Sequence, residues 1–119
     1  MKKMVLFFTF SILLFFASSA FAHPPSDIKI TFDPASKILT AIILHNVSNP
    51  SDHYIKKVDV GRNGKEIVEH QISCQDNNES QAVQYLIPDA KNGDAISVEG
   101  YCSISGKLEK EITVSGMKE

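Results

Sequence analysis

The fold is decided near the end of the chain by the stretch Asp94-Ala-Ile-Ser-Val-Glu-Gly-Tyr-Cys-Ser-Ile-Ser-Gly-Lys-Leu-Glu-Lys-Glu-Ile-Thr-Val114. In an extended conformation, the apolar residues Ile96, Val98 and Cys102 of its first half lie on one face. In its second half, Leu108, Ile112 and Val114 also lie on one face. Alternation of this kind is typical of half-buried β-strands. The Ser105-Gly106 pair between the halves suits a tight turn. The stretch therefore predicts two neighbouring strands joined by a short connection.

The same pattern continues toward the start of the chain. Segments rich in Ile, Val, Thr and Tyr predict strands at Asp27–Phe32, Lys37–His45, His53–Val60, Lys65–Ser73, Gln81–Ile87, Asp94–Cys102 and Lys107–Val114. Further turn signals stand between them at Asp33-Pro34, Arg62-Asn63-Gly64 and Lys91-Asn92-Gly93. Seven short strands in about 95 residues are typical of a sandwich. We therefore predict an all-β fold, a seven-stranded antiparallel immunoglobulin-like β-sandwich.

The first 22 residues have the order of features found in a secretory signal peptide. These features are the basic pair Lys2-Lys3, the apolar stretch Val5 to Phe16 and the small-x-small motif Ala20-Phe21-Ala22. The apolar stretch is shorter than the roughly 20 residues that span a bilayer. We predict cleavage after Ala22, a β-sandwich domain over residues 23–115 and a short tail at 116–119. The mature protein would be periplasmic or secreted, with no membrane anchor after cleavage.

Composition limits the class of protein. The chain has 119 residues, with 12 Lys and Arg against 14 Asp and Glu. Loss of the leader removes two lysines, which leaves ten basic and 14 acidic residues and a net charge of −4. Nucleic-acid-binding proteins usually carry a basic excess, so no nucleic-acid partner is expected. No phosphate-binding loop or Ser-His-Asp order stands out, and the mature length suits one small domain.

Strand direction brings the soft metal-ligand residues together. Successive strands joined by short connections run alternately up and down. The side chains that fall at one end of the sandwich are then His23, His45, His53, Cys74 and Cys102. A strand of eight residues is about 27 Å long, so scattered placement would have put some of them at the other end. His70 falls inside the fourth strand and is excluded from this group. Imidazole and thiolate together suit iron, copper or zinc better than calcium or magnesium.

Two segments around these residues resemble the iron-site segments of the desulfoferrodoxin/superoxide reductase family. They are His45-Asn-Val-Ser-Asn-Pro-Ser-Asp-His53-Tyr54-Ile55 and Tyr101-Cys102-Ser103-Ile104-Ser105-Gly106. The resemblance implies a β-sandwich that holds ferrous iron (Fe2+) between equatorial imidazoles and an axial thiolate. In this sequence His45 and His53 match the paired loop histidines and Cys102 matches the thiolate. His23, in His23-Pro24-Pro25, resembles the upstream histidine of the family.

The activity that the resemblance implies is one-electron reduction of superoxide to peroxide. The sequence has no four-cysteine rubredoxin-like module, so an external electron-donor protein is expected as a partner. Lys56 and Lys57 can attract the superoxide anion or form a solvated face. The sequence also departs from the family pattern: Ser105 stands where the family has its last histidine, and the loop from His45 to His53 is longer than usual. The Glu-Lys pair that often precedes the upstream histidine is absent.

A second interpretation of the same residues belongs to another class. Cys74 and Cys102 are the only two cysteines, and an exported protein favours their pairing in a disulfide. Such a bridge would contribute roughly 3–4 kcal/mol in the chain-entropy model, and it would remove Cys102 as a ligand. The protein would then be a non-catalytic periplasmic binding module. Copper is a candidate metal for it, because the free amine and imidazole of His23 can chelate one copper ion. Pro24 has no amide hydrogen to lose, so the deprotonated-amide ligand is excluded.

Overall fold

The computed structural model describes residues 23–118, and all the regular secondary structure in this part of the chain is β-strand. The strands are β1 (Asp27–Asp33), β2 (Ile38–Leu44), β3 (Ile55–Arg62), β4 (Lys65–Gln71), β5 (Ser80–Leu86), β6 (Ala95–Cys102) and β7 (Lys107–Thr113). The all-β prediction is confirmed. The leader prediction concerns residues outside the described part. Within residues 23–118 no helix has the length and hydropathy to cross a membrane.

The seven strands form two antiparallel sheets. The first has the strand order β1-β2-β5 and the second has the order β4-β3-β6-β7. Every neighbouring pair in both sheets is antiparallel. The β3–β4 connection is a two-residue turn, in which Asn63 and Gly64 have φ angles of 52° and 81°. Two consecutive positive φ angles match the hairpin turn whose twist agrees with that of the flanking strands, so the Asn-Gly signal in the sequence forms the turn it predicted.

One hydrophobic core joins the two sheets. Strands β2 and β6 each bury every second residue, as the period-2 pattern requires. The fully buried members include Leu39, Ala41 and Ile43 from the first sheet and Val58, Val60, Ile96 and Val98 from the second. The sheets approach closely at Gly100, where an added Cβ would lie 3.2 Å from a side-chain carbon of Ile43. This core fixes the strand ends, and therefore the loops that carry the histidines and cysteines.

Part of the segment predicted as a tail is attached to the domain. Met117 packs against the core. Its backbone N–H donates to Asn92 Oδ1 at 2.9 Å, and Asn92 Nδ2 donates to the Met117 carbonyl at 2.8 Å. These contacts hold residue 117 against the loop before β6.

Candidate metal centre

Three histidines from separate segments meet at one end of the molecule. The ring centroids of His23 and His45 are 4.8 Å apart, those of His23 and His53 are 5.1 Å apart, and those of His45 and His53 are 4.7 Å apart. One ring nitrogen from each lies within 4.8 Å of the others. The convergence that strand direction predicted is therefore present, and we call these three residues the histidine cluster.

Cys102 joins the histidine cluster through His53. Its Sγ lies 3.1 Å from His53 Nε2, and its side chain is buried, with 2% exposure. Bonds of about 2.1 Å to nitrogen and about 2.3 Å to sulfur together exceed this separation, so one ion could reach both atoms.

The pairing of β3 with β6 places His53 beside Cys102. Ile55 lies opposite Cys102, and the register then shifts so that Lys57 lies opposite Tyr101. Lys56 is thus the extra residue of a β-bulge, a feature that often re-aims side chains next to functional sites. Before the strand begins, Tyr54 N–H donates to Ser103 Oγ at 3.1 Å and Ser103 N–H donates to the Tyr54 carbonyl at 2.8 Å. These bonds continue the pairing to the residue next to His53.

The sulfur of Cys102 has a backbone donor. Ile104 N–H donates to Cys102 Sγ at 3.5 Å, and Cys102 N–H donates to the Gly106 carbonyl at 3.0 Å. Hydrogen bonds to sulfur stabilise the thiolate form and tune the electronics of a bound metal. The β6–β7 turn therefore suits a thiolate ligand.

The segment before β1 carries His23 to the histidine cluster. His23 Nε2 lies 2.8 Å from the Asn46 carbonyl, and Nδ1 lies 3.1 Å from the Pro24 carbonyl. Pro24 in turn lies against the β6–β7 turn: a Cβ added to Gly106, whose φ is +89°, would be 3.0 Å from Pro24 Cβ. The glycine is therefore required both by its backbone angle and by the close approach of the segment that holds His23.

His45 is fully buried at the end of β2, and Gln75 holds it there. The backbone N–H of His45 donates to the Glu79 carbonyl at 2.8 Å. The ring Nδ1 of His45 lies 2.8 Å from Gln75 Oε1. Gln75 has only 2% exposure. Sequence reasoning missed this residue, because a glutamine next to Cys74 in a polar loop carries no periodic or motif signal.

The electrostatic environment keeps His53 in the neutral form. Burial lowers the pKa of His53 below 6.5, and the neighbouring rings of His45 and His23 lower the same pKa further. Only a neutral imidazole can bind a metal ion, so the lowered pKa makes the His53 ring available as a ligand at neutral pH.

Two cavities flank the site. An open cleft of about 570 Å³ is lined by His23, His53, Ile104 and the loop residues Asn46 to Asn49 and Asp52. The loop between His45 and His53 therefore forms a wall of the cleft. A second cavity of about 340 Å³ lies beside Cys102 and Ser105 and is also lined by Lys56.

Among the described residues, the group of converging ligand nitrogens does not include Cys74 or His70. Cys74 and Cys102 are both free thiols here, and the Cys74 sulfur contacts Ser51 Oγ at 3.8 Å and the Gln75 carbonyl at 3.4 Å. The disulfide alternative stays a prediction. His70 lies on β4, with Nδ1 2.8 Å from the Tyr85 hydroxyl. Lys57 pairs with Asp59 at 3.4 Å and lies over the Tyr101 ring, which leaves Lys56 as the exposed lysine of the pair.

No protein-family model, curated protein or solved structure matches the chain. The site must therefore be interpreted from its own chemistry. Three imidazoles and a buried thiol, placed by four separate segments, constitute a possible His/Cys metal-binding cluster of the type that suits iron, copper or zinc.

Proposed function

We propose that the mature chain is an exported metal-binding protein that works as a superoxide reductase-like iron protein, with His23, His45, His53 and Cys102 as ligands. The observation that carries this proposal is the contact of Cys102 Sγ with His53 Nε2 at 3.1 Å within a cluster of three histidines. The four residues are also those that the family resemblance assigns to the iron.

The strand arrangement supports an immunoglobulin-like sandwich, the architecture that the family resemblance implies. Three strands in one sheet and four in the other, with β3, β6 and β7 adjacent and β2 next to β5, follow the separation of the C, F and G strands from the B and E strands in immunoglobulin-like domains. In such a sandwich the loops gather at the two ends. Ligands carried on loops of one end can then meet without disturbing the core.

The chemistry of the donors supports iron. The contact of His53 Nε2 with Cys102 Sγ would let one ion reach both atoms, and a thiolate ligand donates electron density to iron. When bound, ferrous iron supplies the electron that, with two protons from water, converts superoxide into hydrogen peroxide, and an external electron-donor protein restores that electron.

The residues of the chain divide the remaining tasks between two sides of the site. Cys102 lies on the buried side of the site, where its sulfur accepts a hydrogen bond from the Ile104 N–H. His23 and His53 line the open cleft, through which a small anion can reach the histidine cluster. Lys56, exposed beside Cys102, adds a positive charge near this end and can raise the local concentration of superoxide.

The test uses anaerobically purified mature protein loaded with ferrous iron. We expect one iron per chain, a thiolate-to-iron charge-transfer band after oxidation, and superoxide decay above the background rate in stopped-flow measurements. Cys102→Ser should lose the band and most of the turnover, because the thiolate is removed. Cys74→Ser is the matched control and should keep both.

Ser105→His completes the family ligand set and is the most sensitive arm of this test. Ser105 and Cys102 line the same open groove, so the substitution should bring an imidazole near the sulfur, tighten iron binding and raise superoxide turnover. If superoxide decays at the background rate with both the native and the Ser105→His proteins, the enzymatic function is excluded, whatever their iron content.

A non-catalytic module remains the second candidate, because the histidine cluster is complete without Cys102. Three imidazoles can bind copper or zinc while Cys74 and Cys102 form a disulfide. A free-thiol assay on anaerobically purified mature protein separates the two functions. Two free thiols are required by the iron site, whereas none would favour a disulfide-bonded copper-binding module.

A further inference from the structure

The amide of Gln75 makes four hydrogen-bonding contacts in the interior of the site. Its Nε2 donates to the carbonyls of His45 and Asn77 at 2.8 and 2.9 Å. Its Oε1 accepts from the Ile55 N–H at 3.2 Å and lies 2.8 Å from His45 Nδ1. Gln75 thus links the end of β2, the start of β3 and the loop before β5.

These partners allow only one orientation of the amide. A carbonyl oxygen can only accept and the Ile55 N–H can only donate. If the oxygen and nitrogen of Gln75 were exchanged, two carbonyls would face an oxygen and the Ile55 N–H would face an NH₂ group. Three contacts would then be lost in a buried place, where each unsatisfied polar group costs about 1–3 kcal/mol. Oε1 therefore faces His45.

The orientation of Gln75 fixes the tautomer of His45. Because Oε1 can only accept, His45 Nδ1 must carry the hydrogen, and in the neutral ring Nε2 is then a bare acceptor. His45 Nε2 lies 3.3 Å from the His23 carbonyl oxygen, which is also an acceptor. In the neutral ring two lone pairs would face each other at the fully buried His45, and a cation bound by Nε2 would remove this repulsion.

We propose that Gln75 is a positioning residue of the metal centre: it locks His45 as the Nδ1–H tautomer and so presents Nε2 to the histidine cluster. This inference rests on the proposed metal-binding function. Outer partners that fix the tautomer of a histidine ligand raise metal affinity, and their loss typically costs about 10–100-fold. No motif in the sequence marks Gln75; only its buried contacts do.

Three variants of the mature chain test the role. Gln75→Leu removes the acceptor for His45 Nδ1, whereas Gln75→Glu keeps an oxygen there but loses the donor to the two carbonyls. The matched control is Gln81→Leu. Gln81 is also buried, with 6% exposure, and its amide holds Asp76 of the same loop without contacting the histidine cluster. Unfolding measurements report how much stability each variant loses.

The first readout is the tautomer of His45 in the metal-free protein, from the nitrogen chemical shifts of its ring. We expect the native protein, Gln75→Glu and Gln81→Leu to show hydrogen on Nδ1 and a bare Nε2, and Gln75→Leu to lose this preference. An unchanged tautomer in Gln75→Leu overturns the proposal. This readout needs no metal, so it separates the role of Gln75 from the proposed function.

The second readout is the affinity for cobalt(II) added alone, followed through its thiolate charge-transfer band. Gln75→Leu should bind about 10–100-fold more weakly than the native protein, and Gln75→Glu should recover most of the loss. An equal loss of cobalt affinity in Gln81→Leu would mean that substitutions in this loop weaken binding only by destabilising the fold. That result would overturn the positioning role of Gln75. Failure of the native protein to bind cobalt or iron would refute the metal-binding function instead.

Discussion

At the residue scale, His53 lies beside two other imidazoles, with ring centroids 5.1 Å from His23 and 4.7 Å from His45. Burial lowers the pKa of His53, and the neighbouring His45 and His23 lower it further. A site of this kind is prepared for a metal ion, because ligand nitrogens compete with protons for it.

The lowered pKa of His53 predicts how the stability of the metal-free protein depends on pH. The folded state binds its proton more weakly than the unfolded chain, whose pKa is near 6.5. Its contribution to stability is therefore complete above pH 6.5 and is lost as the pH falls toward the folded pKa. We expect the free energy of unfolding, measured with urea, to fall as the pH drops from about 7.5 to about 5. In His53→Gln the free energy of unfolding should fall less steeply with pH. An equal dependence on pH in both proteins would contradict the assignment of this effect to His53.

Gly106 gives a second prediction, for which the chain offers a matched control. Gly106→Ala adds a Cβ at a φ of +89° and 3.0 Å from Pro24, so it should lower the free energy of unfolding by about 1 kcal/mol or more and weaken metal binding through His23. Gly64→Ala places alanine at a φ of +81° with no neighbour within 4 Å. It should cost a similar backbone strain but leave metal affinity unchanged. Denaturant unfolding and cobalt titration of both variants separate strain from displacement of the ligand.

At the element scale, the sheet β4-β3-β6-β7 carries a group of like charges on its outer face. Asp59 on β3 and Glu66 and Glu69 on β4 offer oxygens within 4.8 Å of one another. The Asp59 charge raises the pKa of Glu66 first, followed by burial and Glu69. This raised pKa is a sign of repulsion between neighbouring strands.

Glu66→Gln should therefore stabilise the protein near neutral pH. A raised folded pKa means that the folded state holds the proton more tightly, so the contribution of Glu66 is favourable at low pH and is lost as the pH rises through the folded pKa. Removal of the charge should raise the thermal midpoint slightly at pH 7, and the gain should shrink toward pH 4 and in high salt. Glu79→Gln, at an exposed position next to β5, is the control and should show no such gain.

The strands could be predicted from the sequence because alternation and turn signals are local. Each predicted strand end falls within two residues of the observed one, and alternating direction was enough to bring His23, His45 and His53 to one end. Gln75 could not be predicted, since its role depends on contacts with His45 and Ile55 that are distant along the chain. The bulge at Lys56 could not be predicted either, because a one-residue shift in register leaves the hydrophobic pattern of β3 intact.

At the scale of the whole molecule, the candidate ligands come from both sheets: His45 follows β2 of the first sheet, and Cys102 ends β6 of the second. The segment before β1, the end of β2, the approach to β3 and the end of β6 each supply one ligand. Because the unfolded chain has no preformed site, a bound metal stabilises the folded state by mass action. At a free metal concentration 100 times the Kd this amounts to about 2.7 kcal/mol.

Metal removal should therefore lower the thermal midpoint of the native protein. We expect a chelator to reverse the stabilisation seen with added metal, and the size of the shift to grow with metal concentration. In Cys102→Ser the shift should be smaller than in Cys74→Ser, because only Cys102 contacts the histidine cluster. A midpoint that does not change with metal in the native protein would contradict a site assembled by folding.

The wide separation of the ligands along the chain also has a consequence for when the metal is chosen. No short segment contains a complete ligand set, so a nascent or unfolded chain has little to offer an ion. A chain that is exported before it folds would assemble its site only at its destination, among the metals present there. Copper binds nitrogen and sulfur donors more tightly than ferrous iron does, so affinity alone would favour the wrong ion. The order of folding and metal supply, more than the strength of binding, would then decide which ion the protein carries.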